Sequence, residues 1–402
     1  MRSAKGENSR KNINQYTIIQ LIRDNGPMTK AEMAAKTNLT FTAINNIVEK
    51  LTNQHFIREA GYDLSSGGRK PVLLELNADA LYAVGVHVSA STLKTAVINF
   101  CGVPVSAAEA KLESGTDRDT IMKQIIRAVE SVIAASGVNK EQISGIGLGV
   151  PGPLDPYNGI VLTPPNIPGL ASVPVQQLMR DHFGLPVMID KDANVMALGE
   201  LWFGSGRGFN NLLYLDADLG IGSGLVFNRK IHQGFPYGAG EIGHGTIDLD
   251  GPKCNCGNYG CLETVASGMA IIRRAGEEIR RGVGTALSAL YESGEDALDI
   301  RHIIEAAREG DRLAVNILDE SARYLGIALA NAINFLAPET VIIGGLLVNG
   351  QHSYFEKVKS IAVSRSFATF HKSIVLQPSY LEGAAGITGA GALIFEERLS
   401  KE

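Results

Sequence analysis

The sequence predicts an α/β protein that carries a small helical domain in front of its α/β body. Three short helical patterns follow one another within residues 14–51. From residue 81 onward, apolar runs bounded by glycine alternate with longer helical patterns, which is typical of a largely buried sheet. A chain of 402 residues also exceeds the usual size of one compact domain. We therefore expect a head in residues 1–77 and a body from about residue 80.

The composition excludes several classes of protein. An apolar fraction of 45% excludes a disordered or collagen-like chain. The polar N-terminus has no signal-peptide core, and no apolar stretch is long enough to cross a bilayer. Of the four cysteines, three fall within eight positions, which favours a metal site in a reducing compartment over a disulfide framework. We expect a soluble, cytoplasmic protein.

The charge is distributed unevenly between head and body. Residues 1–77 hold 11 of the 37 Lys+Arg and 7 of the 42 Asp+Glu, a balance of +4. The remainder holds 37 − 11 = 26 and 42 − 7 = 35, a balance of −9. A basic head on an acidic body favours nucleic-acid binding by the head, with ordinary surface variation as the alternative.

The head has the spacing of a helix-turn-helix. A first helix over residues 14–24 ends at Asn25-Gly26-Pro27, and Thr29 to Glu32 has the spacing of a capping box that opens a second helix. Thr40 is placed to cap a third helix. Its apolar residues repeat at i, i+3, i+4 and i+7 and face a small core: Ile44, Ile47, Val48 and Leu51.

This layout places small polar residues early in the helix that would enter a major groove. Strand-like runs at residues 56–59 and 71–76 flank a Gly-rich turn, which reads as a wing. The predicted DNA contacts lie off the apolar stripe and on the wing: Thr40, Thr42, Asn45, Asn46, Lys50, Arg69 and Lys70. A small helical domain that binds protein is the alternative.

In the body, strands are predicted near residues 82–88, 94–99, 143–150, 187–190, 212–215 and 224–227. The clearest helices are predicted over residues 118–135, 193–202, 312–336 and 387–399. Similar strand-rich openings near residues 82 and 212 suggest two related halves.

The strongest chemical signal is a cluster of cysteines with one histidine. Cys254, Cys256 and Cys261 lie two and five positions apart, and His244 precedes the first of them by ten residues. Three thiolates and an imidazole form a tetrahedral Zn²⁺ set, and three nearby glycines allow the required tight turns. A closed set of four ligands leaves no position for a reacting water, so we predict a structural zinc. Three buried thiols with an unrelated histidine are the alternative.

Polar residues suited to a hydroxyl-rich ligand surround this cluster in the sequence. Glu241 stands three residues before His244, and Glu263 follows the last cysteine by two. Asp192 begins a predicted helix directly after a strand, and Asn166 lies in a proline-rich turn. Each of these residues alone is more often a helix cap or a surface group.

Four segments, in this order, resemble the ROK family of repressors, open reading frames and kinases: Gly149-Val150-Pro151-Gly152-Pro153-Leu154-Asp155, Asp190 to Asn194, Glu241-Ile242-Gly243-His244, and Cys254 to Glu263. The wing and the stretch 246–254 look most like xylose-repressor-type members. The resemblance implies a winged helix-turn-helix followed by a two-lobed, actin-like ATPase (hexokinase-type) body. It implies a first lobe of residues 80–188, with the C-terminal helix 387–402 packing back on it, and a second lobe of residues 189–386.

The resemblance also implies a site for a sugar between the lobes. By this resemblance, the residues that would contact the sugar are Asn166, Asp192, Glu241, His244 and Glu263. Asp192 would be the general base in a kinase relative. His244 would serve the zinc with one ring nitrogen and the sugar with the other side of the ring.

The phosphate loops depart from the pattern of the kinases. Kinase members carry Asp-x-Gly-x-Thr where this chain has His87-Val88-Ser89-Ala90-Ser91. Their second loop reads Gly-Thr-Gly-x-Gly, whereas here Asp218-Leu219-Gly220-Ile221-Gly222 places a carboxylate where polyphosphate would sit. Phosphoryl transfer depends on such positioning, so we predict no enzymatic activity.

The predicted function is therefore a sugar-responsive repressor of carbohydrate-utilisation genes. A homodimer would bind operator DNA, with affinity modulated by a xylose- or glucose-like monosaccharide. The identity of the sugar, the sign of its effect and the choice between dimer and tetramer stay open. The alternatives are an ATP-dependent sugar kinase with Asp192 as base, and a zinc-stabilised interaction protein.

Overall fold

A computed structural model describes residues 15–63, 70–113, 115–164, 166–294 and 297–400. The chain divides into two compact units. Unit 1 comprises Met1–Gly208 together with Ala384–Glu402, and unit 2 comprises Phe209–Gly383. The chain therefore passes from one unit to the other twice, after residue 208 and after residue 383.

The head of unit 1 is three helices and a two-stranded sheet. These elements are α1 (residues 15–25), α2 (Lys30–Thr37), α3 (Phe41–Asn53), β1 (Ile57–Tyr62) and β2 (Val72–Leu76). The predicted capping box is confirmed, since the Thr29 side chain accepts from the Glu32 N–H while the Glu32 carboxylate accepts from the Thr29 N–H. The predicted cap of α3 is confirmed as well, because the Thr40 side chain accepts from the Ala43 N–H.

The rest of unit 1 is an α/β layer. Its strands are β3 (Tyr82–Val88), β4 (Thr92–Asn99), β5 (Pro104–Lys111), β6 (Ile143–Val150), β7 (Leu154–Asp155), β8 (Ile160–Val161) and β9 (Val187–Lys191). Its helices are α4 (Arg118–Ser136), α5 (Val175–Phe183) and α6 (Asp192–Phe203). Five strands form one sheet in the order β5-β4-β3-β6-β9, antiparallel among β3, β4 and β5 and parallel from β3 to β9.

Unit 2 repeats this sheet. Its strands are β10 (Leu212–Ala217), β11 (Ile221–Phe227), β12 (Lys230–Ile231), β13 (Thr340–Gly344) and β14 (Val375–Pro378). Their order, β12-β11-β10-β13-β14, has the same pairing directions as the sheet of unit 1. The described helices of unit 2 are α7 (Leu262–Ala266), α8 (Gly268–Arg280), α9 (Ser288–Glu292), α10 (Ile300–Arg308), α11 (Arg312–Leu336) and α12 (His352–Arg365).

The last helix, α13 (Ala385–Ser400), belongs to unit 1. It packs closely on the sheet because glycines lie beneath it: a Cβ on Gly85 or Gly147 would overlap the carbonyl oxygens of Ile387 and Ala390. Helix α6 packs on α13 in the same way, since a Cβ on Gly389 would overlap the carbonyl oxygen of Val195. Glycine at these positions lets backbone approach backbone.

The structure corrects one predicted boundary. Residues 189–208 were assigned to the second lobe, but they belong to unit 1. The reason is that β9 pairs in parallel with β6 and that α6 packs on α13. Within the described residues, none of the helices combines the length and apolarity needed to cross a membrane.

Candidate functional site

Unit 2 contains a cluster of four potential metal ligands. The donor atoms of His244, Cys254, Cys256 and Cys261 all lie within 4.8 Å of one another. The Cys254 Sγ is 3.6 Å from the His244 Nδ1, and the Sγ atoms of Cys256 and Cys261 are 3.7 Å apart. The two distances of 3.6 and 3.7 Å match the edges of a tetrahedron whose metal–ligand bonds are about 2.0 to 2.3 Å long. The cluster can therefore hold a metal ion through Nδ1 of the histidine.

The environments of the three thiols differ. Burial raises the pKa of Cys261 to about 12. Burial also raises the pKa of Cys254, whereas the backbone N–H of Asn258 lowers that of Cys256. A divalent metal ion deprotonates a thiol that coordinates it. The two buried thiols would therefore lose their protons when a metal binds.

The turn before the cluster presents Glu241 and His244 on one short segment. Residues Ile242–His244 form a single 3₁₀ turn that begins after Glu241. Gly243 lies against the carbonyl oxygen of Ile221, at the start of β11, so closely that a Cβ there would overlap it. The carboxylate of Glu263 accepts a hydrogen bond from the N–H of the same Ile221, at 3.1 Å. Unit 2 thus brings the turn that carries Glu241 and His244, and the carboxylate of Glu263, to the start of β11.

The loop between β10 and β11 is closed by carboxylates of the chain itself. One oxygen of Asp218 accepts from the Leu219 N–H at 2.7 Å, and the other accepts from the Leu346 N–H at 3.3 Å. Glu263 accepts a hydrogen bond from the N–H of Ile221, two residues after Leu219. Three backbone N–H groups that face this loop are therefore already bonded to negatively charged groups.

Unit 1 contains the other two predicted sugar contacts, Asp192 and Asn166. Asp192 is the first residue of α6, where the positive end of the helix dipole stabilises a carboxylate. Its position is held by the preceding Asp190, whose Oδ1 accepts from the Lys191 N–H and from the Asn194 side chain, both at 2.7 Å. Asn166 is exposed in the loop that follows β8.

His87, which replaces the aspartate of the kinase loop, lies in a buried environment. It lies near the end of β3, is 9% exposed, and its ring packs beneath Gly386 at the start of α13. Burial, and then the charge of Lys94, lower the pKa of His87 to about 4. Among the described residues no hydrogen-bond partner reaches its Nε2. The imidazole is therefore neutral at physiological pH.

On the head, the predicted DNA contacts that the structure describes lie on α3, at its cap and just before β2. Thr42, Asn46 and Lys50 are exposed on α3, as is the capping Thr40. Asn45 differs from expectation in being half-buried, because it neighbours the buried Ile44 on the edge of the apolar stripe. Lys70 is exposed just before β2, and Arg69 lies outside the described residues.

Sequence comparisons agree with both parts of the chain. The profile of the ROK family matches residues 84–397, and a winged helix-turn-helix DNA-binding profile matches residues 11–58. The chain belongs to the ROK family. Its fold is an N-terminal winged helix-turn-helix followed by a ROK body of the actin-like ATPase type.

The relatives of this ROK protein include both repressors and kinases. A xylose repressor from Caldicellulosiruptor bescii is 32% identical over 97% of each chain. The crystal structure of a ROK family transcriptional regulator, a homologue of E. coli MLC protein, is similar with a TM-score of 0.79 at 28% identity, covering 98% of this chain and 97% of that one. A ROK family glucokinase from Streptomyces griseus, in complex with glucose and AMPPNP, has a TM-score of 0.70 at 27% identity, and covers 78% of this chain and 99% of its own. The repressor and the regulator include the head, whereas the glucokinase matches the body.

Proposed function

We propose that this protein is a sugar-responsive transcriptional repressor of carbohydrate-utilisation genes. The observation that carries the proposal is the β10–β11 loop, whose amides at Leu219 and Ile221 are bonded to Asp218 and Glu263. A polyphosphate would have to displace these carboxylates and would meet their negative charge. A body with this loop is suited to bind a sugar without phosphorylating it. The head would bind the operator DNA.

The loop that follows β3, the first of the two phosphate loops, supports the same conclusion. A buried, neutral His87 offers no carboxylate that would help to hold Mg²⁺. Ser89 stands where kinase members have the glycine that lets the backbone approach phosphate oxygens. The similarity to a xylose repressor over 97% of each chain favours a xylose-like monosaccharide as effector.

In this proposal the sugar hydroxyls are bound by Asn166, Asp192, Glu241, His244 and Glu263. One oxygen of Glu263 holds the Ile221 amide, and we assign the other to the sugar. His244 turns Nδ1 toward the cysteines, so Nε2 is the nitrogen assigned to the sugar. The cluster holds a structural Zn²⁺, which stabilises the turn that carries Glu241 and His244.

A homodimer would bind the operator, since two half-sites require two heads in symmetric register. Helix α3 would enter the major groove with Thr42, Asn46 and Lys50, and Asn45 and Thr40 would lie beside them. The wing residues Arg69 and Lys70 would contact phosphate or the minor groove.

The test is fluorescence anisotropy at fixed salt on a duplex from the region upstream of the gene, with D-xylose, D-glucose and N-acetylglucosamine added in turn. We expect specific binding that one sugar changes by about fivefold or more. Glu241→Ala should bind the duplex as the wild type does but lose the sugar response, and the exposed Glu309→Ala of unit 2 is the control. If the protein binds the duplex specifically and no sugar changes its affinity, the proposed sugar response is wrong. If it binds no duplex specifically, the proposed repressor function is wrong.

An ATP-dependent sugar kinase is the second candidate, because Asp192 has the position of a general base at the start of α6. A kinase would show a rise in melting temperature with ATP–Mg²⁺ and consumption of ATP with one of the same sugars. We expect neither.

A further inference from the structure

The head is attached to the body of unit 1 through a buried cluster of aromatic rings. Phe56, just before β1, lies 5.8 Å from Phe100, measured between ring centroids, and Phe100 lies 5.4 Å from Phe395 of α13 in an edge-to-face arrangement. Phe395 in turn lies 6.2 Å from Trp202 near the end of α6. Rings in such arrangements add to the free energy of burial.

Arg23 of α1 completes this cluster from the head side. Its guanidinium carbon lies 4.1 Å from the centroid of the Trp202 ring, and the residue is only 6% exposed. The Trp202 Nε1–H donates to Glu396 of α13 at 3.0 Å, which fixes the plane of the indole. A planar guanidinium over an indole face is the favourable geometry for a cation–π contact, and this one is shielded from water.

The helix that ends at this contact begins at the candidate sugar site. Asp192 is the first residue of α6 and Trp202 is its eleventh, so about 15 Å of helix separates them. Of the twelve residues of α6, ten are buried, which leaves the helix little freedom to bend. The two chain segments that connect the units also lie next to these helices in the sequence. The chain leaves unit 1 shortly after α6 and re-enters it at the start of α13.

We propose that the Arg23–Trp202 contact couples the body to the DNA-binding head. A sugar at Asp192 would shift α6, Trp202 would carry the shift to Arg23, and α1 would move with the rest of the head. Arg23 is then a positioning residue that touches neither sugar nor DNA. The inference rests on the proposed function, because it names the route by which the sugar changes operator affinity.

The test compares operator affinity with and without sugar in four full-length proteins. These are the wild type, Arg23→Met, Arg23→Lys and Arg127→Met, the last of which removes an exposed arginine of α4 as a control. We expect the wild type and Arg127→Met to show the same sugar-induced change, about fivefold or more. In Arg23→Met the change should fall below about twofold, while the affinity for the sugar, measured by calorimetry, stays within about threefold of wild type.

Arg23→Lys keeps the charge but loses the planar group, so it should fold even if Arg23→Met does not, and its sugar-induced change should be intermediate. A variant that was only less stable would not keep its affinity for the sugar while losing the effect of the sugar on operator affinity. An Arg23 variant that retains the full sugar-induced change would overturn the proposal.

A second readout, the fluorescence emission of Trp202, needs no sugar. Trp202 is the single tryptophan of the chain, so the emission reports on this contact alone. Operator binding should change its emission in the wild type and in Arg127→Met but not in Arg23→Met. If the wild type binds the duplex and no sugar alters that binding, the sugar response of the proposed function fails, and the emission still decides whether body and head communicate through Arg23. If anisotropy reports binding without any change in Trp202 emission, the coupling proposal fails. If the wild type binds no duplex specifically, both proposals fail.

Discussion

Units 1 and 2 contain the same five-stranded sheet but close the loop after its first strand in different ways. In unit 1 the strand ends with the buried, neutral His87 and continues into a turn held by the Ser89 hydroxyl. In unit 2 the corresponding loop holds its amides with Asp218 and Glu263. Unit 1 lacks the carboxylate that would help to hold Mg²⁺, and unit 2 places negative charge where a polyphosphate would bind. The two loops therefore offer independent physical reasons for the absence of phosphoryl transfer that we propose.

The units also differ in what stabilises them. In unit 1, helices α6 and α13 approach each other and the sheet through glycines, and Arg23 of the head packs on Trp202 of α6. In unit 2, the segment that precedes α7 forms short turns and brings together the four potential ligands, which are His244 and the three cysteines around it. Unit 1 should thus respond to changes in buried packing and protonation, and unit 2 to the loss of metal.

The largest expected effect is on unit 2. Cys256→Ser removes one potential ligand and should abolish binding of the zinc that we propose, lowering the thermal midpoint of unit 2 by about 10 °C or more, since metal binding contributes folding free energy directly. Unit 1 should keep its midpoint. Elemental analysis and differential scanning calorimetry measure the two effects, and Cys101→Ser, a half-buried cysteine of unit 1, is the control. A full equivalent of zinc in Cys256→Ser would refute the ligand set.

A somewhat smaller effect should appear in unit 1 as a dependence on pH. Burial lowers the pKa of His87 from 6.5 to about 4, so between these values the unfolded chain binds more protons than the folded one. Stability is complete above pH 6.5 and is lost as the pH falls toward 4, by on the order of 3 kcal/mol. Urea unfolding from pH 4.5 to 7.5 measures the loss.

His87→Gln should abolish that part of the pH dependence, because glutamine does not titrate. His182→Gln, which changes an exposed histidine of the same unit, should preserve it. Equal slopes for His87→Gln and the wild type would show that another group causes the pH dependence.

The smallest effect is expected at the loop of unit 2. Asp218→Asn removes the charge that faces the Leu219 and Leu346 amides and should lower the free energy of unfolding of unit 2 by about 1 to 2 kcal/mol. Asp250→Asn, at an exposed carboxylate of the same unit, should change it by less than about 0.5 kcal/mol. Equal stability of the two variants in chemical denaturation would mean that Asp218 does not hold the loop.

Much of the fold was predictable because its signals are local. The caps at Thr29 and Thr40, the core stripe of α3 and the long helix α11 all follow from residues within one or two turns of each other. The predicted boundary near residue 188 was wrong because strand pairing between β6 and β9 joins segments about forty residues apart. Arg23 was not singled out either, although its spacing of four residues from the buried Ile19 placed a charge on the apolar face of α1.

The candidate site divides in the same way. The four potential metal ligands, with His244 ten residues before the first cysteine, were readable from spacing, because short loops bring such residues together whatever the rest of the chain does. The sequence alone also determined the helix-turn-helix pattern of the head and the departures at His87 and Asp218. Only the tertiary structure decided that Glu263 bonds the Ile221 amide, that His87 is buried beneath Gly386, and that Arg23 stacks on Trp202. Each of these contacts joins residues 42 or more positions apart, and such pairs are chosen by the packing of whole elements, which local patterns do not specify.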